Sequence, residues 1–120
     1  INNAILELMA SLRRDPQFGL VLTIASGGVM TEILQDASTV LVPADDISLL
    51  AALDSLRIAP LFDGFRGGQA ASRTAVLDQI KGLVSLMKDT PDIVEIEINP
   101  IMVGKDYACC ADALINISST

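Results

Sequence analysis

Apolar residues alternate with other types through residues 4 to 12, "AILELMASL", which puts Ala4, Leu6, Leu8, Ala10 and Leu12 on one face. A period of two predicts a half-buried strand, with a short helix as the alternative. "RRDPQFG" ends the pattern: Pro16 cannot continue a ladder and biases Asp15 to extended geometry, so a turn is predicted. "LVLTIAS", Leu20 to Ser26, is a nearly continuous apolar run, the pattern of a strand covered on both faces, and it stops at Gly27 and Gly28. "VMTEILQD" and "STVLVP" are rich in β-formers around a turn near Asp36 to Ser38, and predict a further antiparallel pair.

The period then changes. Asp45 suits an N-cap for a helix whose stripe is Ile47, Leu50, Leu53 and Leu56, closed by Pro60. A second helix is predicted from about Ser72 to Lys88, because Val76, Leu77, Ile80, Leu83, Val84 and Met87 recur at helical spacing between a capping Ser72 and a blocking Pro91. "LFDGFRGG" between them is a Gly-rich loop. Strands at about 92 to 103 and 107 to 117 close the sequence. Strands, helices and strands with short antiparallel connections predict an α+β two-layer sandwich, a mainly antiparallel sheet with helices packed on one face. Residues 1–120 are expected to form one domain.

The last hairpin carries the candidate chemistry. With Lys105 and Asp106 as a two-residue turn, Gly104 faces Tyr107, and counting back places Asn99 opposite Asp112, their Cβ atoms about 4.5–5.5 Å apart. Glu97 lies two residues before Asn99 and shares its face, whereas a three-residue loop with a bulge would break this parity. An amide oxygen and one or two carboxylates form a hard-oxygen set suited to Mg²⁺, which binds at about 2.0–2.1 Å and leaves room for water and substrate phosphates. Such a set is too small for a closed cage and suits a metal delivered with a nucleotide. A plain exposed polar face is the alternative.

Composition narrows the function. At 120 residues and 51% apolar, the chain has enough to bury one modest core, which argues against disorder. No apolar run approaches the roughly 18 residues of a membrane span, and no export signal opens the chain, so a cytoplasmic, membrane-free domain is expected. Histidine is absent, which removes a Ser-His-Asp triad, the usual zinc ligand and any phosphohistidine from these residues. A net charge of −7, with three Phe and one Tyr, argues against nucleic-acid binding. Cys109 and Cys110 are neighbours that point to opposite faces of a strand and are expected to be buried thiols.

The motifs "RRDPQFGLVLTIASGGVMTEILQD", "LFDGFRGG", "EIEINPIMV" and "CADA" occur in that order. Together they resemble the carboxy-terminal lobe of the ATP-grasp module of NDP-forming acyl-CoA synthetases. That family includes the ADP-forming acetate–CoA ligases and is similar to the succinyl-CoA synthetase β chain. The match runs from about Glu7 to Ile117. The resemblance implies a nucleotide held between two α+β lobes with Mg²⁺ bridging its phosphates, and acyl phosphate and phosphohistidine intermediates on the way to acyl-CoA. It puts the family's metal residues on Asn99 and Asp112, with Glu97 either supporting those ligands or acting on the metal through a water. It also puts Gly27, Gly28, Arg66 and Gly67 beside the nucleotide phosphates, and makes Glu32 and Arg66 candidate catalytic residues.

A whole ATP-grasp module needs roughly twice this length. The expected partners are therefore nucleotide and acyl-phosphate substrates, the remaining ATP-grasp lobe, and CoA-binding domains in cis or on another subunit. The abrupt start in a strand reads as one lobe of a larger enzyme, inactive by itself. An apolar face left by the other lobe would favour homo-oligomers. Relatives usually read Gly-Leu-Gly-Gly where this chain has Ala25, Ser26, Gly27 and Gly28. That departure keeps a second reading open, a non-catalytic regulatory or subunit-contact module, as in some protein acetyltransferase fusions.

Overall fold

In the computed structural model, residues 4–28, 33, 35–64 and 67–118 are described. Strands β1 (Leu6–Asp15), β2 (Gly19–Ser26) and β3 (Ala37–Val42) are followed by helix α1 (Asp46–Asp54), a short 3-10 helix (Ala59–Asp63) and helix α2 (Arg73–Asp89). Strands β4 (Ile93–Val103), β5 (Ala108–Cys110) and β6 (Ala113–Ile117) complete the order. One antiparallel sheet runs β3-β2-β1-β4-β5, with β6 also paired to β4. Both helices pack against the sheet in one core, so the α+β class read from the sequence holds.

Alternation in β1 has the predicted phase: Leu6, Leu8, Ala10 and Leu12 are buried, while Glu7, Met9 and Ser11 lie on the helix-free face. In β2, Leu22 and Ile24 face the helices, and Val21 and Ala25 on the other face are also buried, as expected of an inner strand with a neighbour on each side. The β1–β2 turn is held by Asp15, whose carboxylate accepts the N–H groups of Gln17 (2.8 Å) and Phe18 (3.0 Å). Those backbone bonds hold its pKa below the usual carboxylate value.

Asp45 and Ser72 are the helix N-caps, accepting from Ser48 N at 2.8 Å and Ala75 N at 3.0 Å. In α2 the stripe is buried at Val76, Leu77, Ile80 and Met87, with Leu83 and Val84 at its margin. At the other end of α2, Arg14 donates to the carbonyls of Met87, Thr90 (3.1 Å) and Ile93 (2.7 Å), closing the helix with a charge of the sign its dipole favours.

Three expectations are corrected. The stripe of α1 is Leu49, Ala52 and Leu53, continued by Leu56, and Ile47 is 78% exposed. Nine residues make only two and a half turns, so neighbouring phases of the apolar pattern compete and tertiary contact decides. Strand β3 already begins at Ala37, where a turn near Asp36 to Ser38 was expected, and it pairs with β2, from Leu20↔Val42 to Ala25↔Ala37. The segment before it, 29–36, lies largely outside the described residues; its Asp36 is buried and accepts from the amides of Arg57 (2.8 Å) and Ile58 (3.2 Å). The final strand is two, β5 and β6, separated at Ala111–Asp112.

The two cysteines are free and only partly buried. Cys110 Sγ faces Gln79 Oε1 of α2 at 3.3 Å, and burial pushes its pKa up.

Candidate functional site

The site is built on the middle of β4. Between Leu8↔Ile101 and Ala10↔Ile98, one β1 residue faces two on β4, Asn99 and Pro100, which are joined by a cis peptide bond. This bulge moves the buried positions from Ile96 and Ile98 to Ile101 and Val103, so both halves of β4 keep their apolar side toward the helices. Glu95, Glu97 and Asn99 are left on the opposite side.

Pairing across the hairpin follows the two-residue turn. Gly104 N donates to Tyr107 O at 2.9 Å, and Val103↔Ala108, Met102↔Cys109 and Ile101↔Cys110 continue from it. Beyond the step at Ala111–Asp112 the same register resumes with Ile98↔Ala113 and Glu97↔Leu114. Within the step, Asn99 N donates to Asp112 O at 3.1 Å, so the predicted juxtaposition of Asn99 and Asp112 is present.

Glu97, Asn99, Asp112, Ala113 and Leu114 line one open depression of about 360 Å³. Asp112 Oδ1 is oriented by the N–H of Ala113 at 2.9 Å. Neither Glu97 nor Asp112 has an ion-pair partner among the described residues. Among the described residues no Lys or Arg lines the depression. Two carboxylates and an amide oxygen are a hard-oxygen set of the kind Mg²⁺ takes, so the residues present fit that ion. Among the described residues no three His, Cys, Asp or Glu side chains converge, and a metal here would need donors from its ligand.

Gly28 reaches the same place from the end of β2. Its N–H donates to Asn99 Oδ1 at 2.9 Å, and the N–H of Gly27 donates to Glu7 O at 2.9 Å. Both positions need glycine. A Cβ on Gly27 would lie 2.4 Å from Leu8 O, and Gly28 has φ +65. These two amides are thus engaged by protein oxygens in this conformation. The departure from the relatives' glycine loop falls on Ala25 and Ser26, both buried residues of β2, and leaves the two glycines at the corner intact.

The structure brings together Glu97, Asn99, Asp112 and Gly28. Gly67 does not line the depression. It belongs to the loop after the 3-10 helix, which is tied back by Ala71 N to Phe62 O (2.9 Å) and by Ser72 N to Gly104 O at the hairpin end (3.0 Å). Arg73, over the Phe62 ring, bonds Asp63 at 2.7 Å and holds that carboxyl below its usual pKa. Glu32 and Arg66 lie outside the described residues. Glu7 went unnoticed in the sequence, although it interrupts the strand on the helix-free face as Glu97 does.

A helix-covered sheet whose other face presents these oxygens beside a Gly-Gly corner has the architecture of a lobe of an ATP-grasp domain. The chain belongs to that family: the ATP-grasp domain model matches residues 2–117. It is 34% identical over 107 residues to subunit beta of an ADP-forming acetate–CoA ligase I of Pyrococcus furiosus, covering 89% of this chain and 46% of that protein. It is 32% identical over 97 residues to a trans-feruloyl-CoA synthase of an unknown prokaryotic organism, covering 81% of this chain and 14% of that protein. Among solved structures it superposes, with a TM-score of 0.87 and 27% identity, on a dinucleotide forming acetyl-coenzyme A synthetase 1 of Ca. Korarchaeum cryptofilum. That structure holds coenzyme A and Mg-AMPPCP, and its phosphohistidine segment points towards the nucleotide binding site; the match covers 93% of this chain and 53% of that one. The chain thus spans about half the length of the Pyrococcus and Korarchaeum chains and resembles the ATP-grasp part of ADP-forming acyl-CoA synthetases. No helix among the described residues is long and apolar enough to cross a membrane.

Proposed function

We propose that this chain is the Mg²⁺–nucleotide phosphate-binding lobe of an NDP-forming acyl-CoA synthetase, which converts an acid, CoA and ATP to acyl-CoA, ADP and phosphate. The observation that carries this reading is the hairpin register, which brings Asn99, Asp112 and Glu97 into one depression that no Lys or Arg among the described residues lines. Asn99 and Asp112 hold the metal, and Glu97 acts through a water. Mg²⁺, when bound, neutralises phosphate oxygens, so that phosphoryl transfer rests on positioning and charge stabilisation. Gly27 and Gly28 border the phosphates, and Gly28 fixes Asn99. Arg66, Gly67 and Glu32 keep the phosphate-side and catalytic roles that the family resemblance implies.

Turnover requires the other ATP-grasp lobe and the CoA-binding domains, in cis or as another subunit, and this chain alone is inactive. Leu114, Ile115 and Ile117 of β6 are 60%, 45% and 66% exposed, which supports burial of that edge in a larger assembly. The competing reading, a non-catalytic module, rested on the changed glycine loop. That support weakens because the altered residues are buried in β2 while the corner glycines remain.

The test is an NMR titration of Mg²⁺, with and without ATP, into this chain and its Asn99→Ala/Asp112→Ala variant. Saturable shifts at the Asn99 and Asp112 amides, lost in the folded variant, are expected. Silence in this chain and again in the full-length protein would overturn the catalytic reading in favour of a decayed, non-catalytic lobe.

A further inference from the structure

We infer that Glu7 is a positioning residue for Asn99, acting through Gly28. Glu7 stands on the helix-free face of β1, and its backbone oxygen accepts the N–H of Gly27 at 2.9 Å. The chain leaving β2 therefore lies flush on β1. At the next residue a Cβ would fall 2.3 Å from Glu7 Oε2 and 3.2 Å from its Cδ. The Glu7 carboxyl group occupies the space where a side chain on Gly28 would sit, and it forms the floor under this corner. Seated there, Gly28 directs its N–H to Asn99 Oδ1 at 2.9 Å.

That bond selects one face of the Asn99 amide. The terminal torsion of asparagine is broad and roughly two-fold, so the oxygen and the NH₂ compete for any given direction. A backbone N–H can donate only to the amide oxygen and not to the NH₂. Asn99 is thereby held with its oxygen at the corner. Fixing a ligand's orientation through a neighbour is how outer groups tune metal affinity. The contact between Glu7 and Gly28 is one of shape, so glutamine replaces glutamate here and alanine does not.

This inference rests on the reading of Asn99 as a metal ligand, so its test has a readout that needs no metal. Glu7→Gln and Glu7→Ala are compared by the chemical shift and hydrogen exchange of the Gly28 amide, then by Mg²⁺ titration. Glu7→Ala is expected to move the Gly28 amide toward its unbonded position, speed its exchange, and weaken Mg²⁺ binding by about tenfold. Glu7→Gln is expected to leave all three near the parent values. An unmoved Gly28 amide in Glu7→Ala would overturn the positioning role whatever the metal does. A Gln variant that behaves like Ala would overturn the argument from shape. A parent chain silent to Mg²⁺, with the Gly28 amide still responding to Glu7→Ala, would overturn the metal-ligand reading and leave Glu7 setting only the corner.

Discussion

The two sides of β4 differ in what holds them. Ile96, Ile98, Ile101 and Val103 are each 3% exposed or less and belong to the core shared with α1 and α2. On the other side Glu97 and Asn99, with Asp112 across the step, line an open depression with no Lys or Arg among its described lining residues. The first set is needed by the fold, because apolar area removed from water stabilises it in proportion to its size. The second set contributes no comparable contact to the fold. What lies on the uncovered side is therefore available for ligand chemistry, and the two sides should respond oppositely to substitution.

Ile96→Ala is the largest test of that contrast. Removing a buried isoleucine leaves a cavity, and a loss of about 3 kcal/mol is expected from urea unfolding. A loss below about 1 kcal/mol would mean that this side is not the packed one. Arg14→Ala should follow at about 2 kcal/mol, because it leaves the carbonyls of Met87, Thr90 and Ile93 without their charged donor. Arg14→Lys should recover only part of this loss, since a single ammonium cannot reproduce the planar fork. A full recovery would reduce Arg14 to a point charge at the helix end.

What the sequence made legible follows from how local each determinant is. The β1 phase, both N-caps and the Asn99–Asp112 register are set within a few residues, by alternation, by a capping side chain and by a two-residue turn. The register survived even the bulge at Asn99–Pro100, because β5 and β6 take the same step on the other side. The partner of β3 and the exposed Ile47 are decided by tertiary packing, which local pattern does not contain. Arg14 reaches carbonyls more than seventy residues away, and the contact of Glu7, Gly28 and Asn99 joins two strands and the corner after β2. No spacing rule links those positions, although a lone glutamate on an apolar strand was a signal that Glu7 shares with Glu97.

The smallest effect is the sharpest, because its sign separates the two sides. Glu97 faces Leu114, and Asp112 sits one diagonal step away, roughly 7–8 Å at Cα. Two like charges at that distance in water repel by about 0.5 kcal/mol, and salt screens part of it. Without Mg²⁺, Glu97→Gln is therefore expected to leave stability unchanged or raise it by up to about 0.5 kcal/mol, with the gain shrinking as salt is added. Urea unfolding at low and high ionic strength reads this directly. A loss above about 1 kcal/mol would place the carboxylate in the scaffold, as a group whose partners the fold depends on. A gain that disappears with salt would mean that the uncovered side holds charge at a small cost to the fold, as a cation site must before its cation arrives.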